Sequence, residues 1–210
     1  MVMKEKKKYL IIEDEYIEIG YLILVIITGL VIFSPCIWGN QTLVYDDWGY
    51  DTYNQYLPVY DFFKNIFQQQ NFSEYYFTYG LGTSLFVFLS WISDIFTFPL
   101  ILISIVLKQE IGNLIVYAQF AKIVVGGMVT FKYLRLRNYS EYGTFVGAYI
   151  FAFCGYFFAA GQHYFFATYL VYYVMLLYAV EKAFNKKKYI FLVTLVSCLI
   201  ALHSAYASFQ

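Results

Sequence analysis

Residues 20–38, GYLILVIITGLVIFSPCIW, form an apolar run with no charge in it, and apolar runs recur at 111–134, 143–161, 164–181 and 189–208. A bilayer core of about 30 Å is crossed by roughly 20 apolar residues wound as helix. The recurrence therefore predicts an all-α, multi-pass transmembrane protein. Composition agrees. Charged residues are 13% and hydrophobic residues 61% of the chain, against roughly 25% and 45–50% in soluble domains. A net charge of zero gives no reason to expect a nucleic-acid partner. Cys36, Cys154 and Cys198 lie in apolar runs without CxxC spacing, which reads as buried apolar residues, not as a disulfide framework or zinc site. The first run follows charged residues and has no small-residue cleavage site after it, so it reads as a retained span and not a signal peptide.

Residues 75–107 are ambiguous. YYFTYGLGTSLFVFLSW and IFTFPLILISIVL are each apolar but short, separated by Ser93 and Asp94 and interrupted by Pro99. Charge decides between the readings. KEKKK at 4–8 places the N-terminus in the cytoplasm by the positive-inside rule. If 75–107 crosses once, the basic loops KYLRLRN and EKAFNKKK fall outside, against the rule. If it forms a hairpin or re-enters, eleven of the 14 Lys and Arg fall inside. The second arrangement is expected. Residues 1–19 are then a cytoplasmic tail and 20–210 a transmembrane module, with an external loop at 39–83.

That loop holds Asp46, Asp47, Asp51, Asp61 and Glu74 against one base, Lys64. Within it, Tyr56, Val59, Tyr60, Phe63 and Phe67 recur at helical spacing, while Asp61, Lys64, Asn65 and Gln68 take the opposite face. This predicts an amphipathic helix over 56–70, with Pro58 in its first turn, lying on the outer leaflet. His163 and His203 fall on the same external side. Aromatic residues reach 23%; interfacial belts account for most such residues, and a sugar-stacking cleft would use others.

The order of features resembles the N-terminal part of the bacterial YfhO family of membrane proteins. The residues that carry the resemblance are DxYxQY (Asp51, Tyr53, Gln55, Tyr56) after the first span, then YGLGTS (Tyr79 to Ser84), then a span with a mid-helix lysine, Lys122. The resemblance implies a module like that of the GT-C glycosyltransferases, which move a sugar from a polyprenyl-phosphate donor outside the membrane. The implied acceptor is a cell-envelope polymer such as lipoteichoic acid. Family members are much longer, so the chain reads as truncated at its C-terminus. At the position where the family tends to carry an Asn-Tyr-Tyr-like sequence, this chain has His203, Ser204 and Tyr206.

Sugar transfer from a lipid phosphate needs a base for the acceptor hydroxyl. A carboxylate at membrane level suits that task. The position matched to the family acid is Asp51, with Asp46 and Asp47 as alternatives. Gln55, Tyr56 and His163 are candidates for substrate binding, although a lone histidine in a tight turn is more often a satisfied interfacial one. An acidic turn can equally be a solvated edge or a helix cap. A divalent metal is left open, with no ligand spacing to specify it. Lys122 lies mid-span with Gln119 one turn before it, and a charge at that depth must face protein or a watery cavity. It is a candidate phosphate contact, and it is also a candidate structural partner for Asp94. The rival to an enzyme is a non-catalytic membrane protein, a transporter part or an assembly partner.

Overall fold

The computed structural model describes residues 2–44, 50–77, 82–84, 94–159 and 163–203, with the side chains of 2–15 and 83 excepted. Asp46 and Asp47 lie outside the described residues, as do Tyr79, Gly80 and Leu81 of YGLGTS and the stretch 85–93. The described residues are mostly helical.

The first apolar run belongs to a continuous helix, α1 (Val2–Ile32), that begins well upstream of it. Pro35 ends it, because a proline has no N–H to give and its ring crowds the carbonyl four residues back. That carbonyl, of Val31, is taken up by the Ser34 hydroxyl at 2.8 Å, and a short helix, α2 (Ser34–Ile37), follows. One side of α1 buries Tyr21 and Val25, while Ile19, Ile23, Ile27 and Val31, four residues apart, are exposed. An unbroken apolar stripe facing away from the protein suits a lipid surface.

The amphipathic helix expected over 56–70 forms as α3 (Leu57–Gln69), with Pro58 in its first turn. Its setting differs from expectation in two ways. First, it is entered through a π-helical turn, Thr52–Tyr56, so that helical backbone begins beside Asp51. The proline removes one backbone donor and needs room at the preceding turn, and a widened turn supplies it. Second, its apolar face is covered by protein. Val59, Tyr60, Phe63 and Ile66 are buried together with Ile101, Ile111, Ile115 and Tyr164. Amphipathic spacing says that a face is buried; here the partner is the chain's own core and not the outer leaflet.

A two-residue antiparallel pairing joins β1 (Tyr75–Tyr76) to β2 (Thr83–Ser84). Then α4 (Thr97–Leu107) runs for 11 residues, about 16 Å at 1.5 Å per residue and short of a bilayer core. Helix α5 (Ile111–Leu136) is central, packing against α1, α4, α6 (Glu141–Ala152) and α8 (Phe166–Asn185). Among the described helices α5 is the one long and apolar enough to cross a membrane by length and composition. The apolar part of α1, Tyr16–Ile32, and α4 are shorter.

The run at 143–161 is broken into two pieces. Helix α6, capped by the Ser140 hydroxyl accepting from Gly143 N at 3.1 Å, stops at Ala152, and a five-residue helix, α7 (Gly155–Ala159), follows the break. Apolar composition alone does not say where a helix within such a run ends. After α8 and a 3-10 turn at Lys187–Tyr189, α9 (Ile190–His203) completes the described chain.

Gly126 and Gly127 let α5 approach its neighbours closely, as small residues do between helices. A Cβ at Gly127 would stand 2.9 Å from the Ala152 Cβ and 2.7 Å from the Tyr21 hydroxyl. Gly127→Val should therefore cost about 1–3 kcal/mol by overpacking. The check is thermal unfolding in detergent; a melting temperature equal to wild type would mean that this contact opens without strain.

Candidate functional site

Asp51 caps the π turn. Its Oδ1 accepts a 2.8 Å hydrogen bond from Gln55 Nε2. Five residues on, the hydroxyl of buried Tyr56 forms a short hydrogen bond with Nδ1 of His163. The same nitrogen lies 3.8 Å from Asp51 Oδ2, with the Asp51 and His163 side chains 27% and 21% exposed. In a regular α-helix, residues five apart point about 140° away from each other. A π turn bonds residue i to i+5, so it can carry Asp51, Gln55 and Tyr56 on one side. The widened turn is what turns a motif into a cluster.

His163 comes from the turn before α8, 107 residues beyond Tyr56. That turn is held from both sides. The Tyr56 and Tyr164 rings pack edge to face at 5.8 Å, and the Tyr164 hydroxyl donates to the Leu43 carbonyl. On the inner side, the Tyr164 carbonyl accepts from Lys122 Nζ at 2.7 Å and from Gln119 Nε2 at 3.0 Å. Both α5 side chains are buried, one helical turn apart on the same face.

Lys122 also bonds Asp94, at 2.9 Å from Oδ2, with both side chains almost fully buried. That carboxylate is densely satisfied. Oδ2 accepts from Thr97 at 3.0 Å and Thr168 at 2.8 Å, and Oδ1 accepts from the Phe96 and Thr97 backbone at 2.9 and 3.4 Å. The last two bonds occupy otherwise unpaired amides at the start of α4. Of the two roles open to Lys122, the geometry has the partnership with Asp94.

The structure thus brings together Asp51, Gln55, Tyr56 and His163, and sets Lys122 in an adjoining buried network that meets them through the turn at Tyr164. Sequence reasoning passed over Tyr164 and the two threonines. Tyr164 follows His163 directly and Thr97 lies three residues after Asp94, but Thr168, 74 residues from Asp94, carried no local signal. A cavity of about 650 Å³ lined by Gln41, Thr42, Val44, Tyr50 and Tyr53 opens among the residues that flank Asp51 in the chain. Its two tyrosine rings offer faces on which a sugar could stack. Among the described residues no three His, Cys, Asp or Glu side chains converge in a way that could hold a metal ion.

Chemically, the cluster is a partly exposed carboxylate oriented by an amide, beside an imidazole bonded to a phenol. Such a group can accept a proton from a hydroxyl brought against it. A family model described as bacterial membrane protein YfhO matches residues 21–204. No curated protein and no solved structure matches the chain.

Proposed function

Starting from the chain's membership of the YfhO family of bacterial membrane proteins, we propose that it is a multi-pass glycosyltransferase module that moves a sugar from a polyprenyl-phosphate donor to a cell-envelope polymer such as lipoteichoic acid. The observation that carries this reading is the convergence of Asp51, Gln55 and Tyr56 with His163, 107 residues beyond Tyr56. A solvated acidic edge has no need of a histidine brought from 107 residues away.

In the proposed reaction, Asp51 takes the proton of an acceptor hydroxyl as its oxygen attacks the anomeric carbon. The bond from that carbon to the donor phosphate breaks on the opposite side, and polyprenyl phosphate leaves with the electron pair. Configuration inverts, with no glycosyl-enzyme intermediate. Gln55 fixes the carboxylate, and Tyr56 fixes the imidazole next to it. Lys122 acts indirectly: held by Asp94, it joins Gln119 in pinning the Tyr164 carbonyl, and so the turn that presents His163. The test is reconstitution of the full-length protein in vesicles with a polyprenyl-phosphate sugar donor and an envelope-polymer acceptor. Sugar should appear on the polymer. No transfer from a correctly folded protein with any such donor would remove the proposal.

The reading requires the Asp51 cluster to face outside. In a cysteine-free background, single cysteines at positions 64 and 163 should react with an impermeant thiol reagent on intact cells. Cysteines at 135 and 187 should react only after the membrane is opened, since the basic loops belong inside. Labelling at 135 with protection at 64 would invert the topology and place the cluster on the wrong side.

A further inference from the structure

Helix α3 buries one face and leaves a polar ridge on the other. Two cavities, of about 430 and 450 Å³, flank that ridge and share Asp61 and Asn65 in their linings. On one side the remaining lining is polar throughout: Lys64, Gln68, Lys108 and Glu110. On the other side it includes Phe62, Asn71 and Tyr76. Asp61 Oδ1 is buried and has no hydrogen-bond partner among the described residues. Burial and the nearby Glu110 carboxylate hold the Asp61 carboxyl above the ordinary range for aspartate, with Lys64 pulling the other way.

An unanswered acceptor of this kind is a cost to the fold. The pH dependence has the same sign. A carboxyl whose folded pKa is raised favours the folded state below its unfolded pKa, and that advantage disappears as pH rises through the raised value. Above the raised value, the ionised carboxylate brings no stability of its own. The residue that burdens the fold also lines both cavities, where a ligand hydroxyl can donate to its carboxylate.

The groove also specifies the ligand's chemistry. Two lysines face two carboxylates, and Lys64 Nζ is already bonded to the Gln109 carbonyl at 2.8 Å. The lining therefore has no net charge with which to select a polyanion. Asn65 and Gln68 amides both donate and accept, as a run of hydroxyls requires, and the half-buried Phe62 offers ring surface. Asp61 lies ten positions after Asp51, about 15 Å along the helix at 1.5 Å per residue. An oligomer spans that distance; a single sugar does not.

We infer that the α3 ridge around Asp61 and Asn65 is a saccharide-binding subsite, which holds a neutral, hydroxyl-rich stretch of the acceptor while the acceptor's reactive end lies at Asp51. It rests on the reading of the chain as a sugar transferase, and it locates the acceptor along α3, on the side away from the apolar face.

The experiment is carboxyl footprinting. The full-length protein in lipid nanodiscs is treated with a water-soluble carbodiimide and an amine, and modification of Asp61 is read by peptide mass spectrometry. The probes are short linear oligomers of glucose, galactose, mannose and N-acetylglucosamine, with glycerol-phosphate oligomers of matched length as the anionic arm. At least one neutral oligomer should protect Asp61 several-fold. The double variant Asn65→Ala, Gln68→Ala should weaken that oligomer's binding about tenfold, as loss of hydrogen bonds to a ligand predicts. Asp61→Asn should melt at pH 7 no lower than wild type and lose the binding. Equal modification with and without every neutral oligomer overturns the inference, as does protection by glycerol phosphate alone. No donor is present, so the outcome is independent of transfer. Protection with no transfer in reconstituted vesicles removes the enzyme reading and leaves the subsite standing; transfer without protection does the reverse.

Discussion

Asp51→Asn should abolish sugar transfer by the reconstituted protein, lowering the rate about 10²–10⁴-fold, the usual cost of losing a general base. The change is nearly isosteric, and Asn can still accept from Gln55 Nε2 through its own side-chain oxygen. The turn should therefore survive, with membrane abundance and melting temperature unchanged. His163→Gln should be milder, because the imidazole stands beside the base and does not itself accept the acceptor's proton. The two variants together should then lose little more than Asp51→Asn alone, as groups that work as one unit do. Transfer at the wild-type rate by Asp51→Asn would falsify the assignment, and the cluster would then be a structural link between the loop and the α8 turn.

Lys122→Met should have the second large effect, on the fold itself. Removing one partner of a buried ion pair strands the other charge, typically at about 3–5 kcal/mol. Here the stranded group is Asp94, still holding Thr97 and Thr168. Pairing Lys122→Met with Asp94→Asn should restore most of the stability, since the amide can keep bonds from the two threonines without a charge to compensate. Unfolding in detergent measures both, and transfer measured at equal folded fraction separates stability from chemistry. If the double variant regains its fold and its transfer rate, Lys122 acts by pairing. If it regains the fold and stays inactive, a direct contact with donor phosphate has to be restored to the account.

Much of this was legible in the residues. A lysine mid-span must be answered by something, and Asp94 was one candidate partner; the structure joins them at 2.9 Å. Gln119, one turn before Lys122, could be placed on its face by helical period alone. The motif Asp51-x-Tyr53-x-Gln55-Tyr56 marked residues that the structure brings together with His163, and counting charge gave the expectation that His163 shares their side of the membrane. Their contact was not legible, because it depends on a π turn that no periodicity announces; Pro58, two residues past that turn, was the one local sign. The docking of α3 was missed for another reason. Spacing identifies a face to be buried, and lipid and protein satisfy that spacing equally well. The break after Ala152 lies in an apolar run whose local sign is Gly155, and the run holds other glycines, Gly143 and Gly147, that do not end the helix.

The buried network also bears on how the chain is made. Asp94 leaves the ribosome 28 residues before Lys122 and 74 before Thr168. At about 5–20 residues per second, the carboxylate waits on the order of seconds for its cation and longer for its second hydroxyl. During that interval it cannot be held in hydrocarbon as an ion except at considerable cost. Insertion of α4 is thus expected to be provisional until α5 arrives, with the nascent chain dependent on water or an insertase at that point. Mutations that slow or misplace α5 should then appear first as degradation of the newly made protein, before any defect in the finished one can be measured.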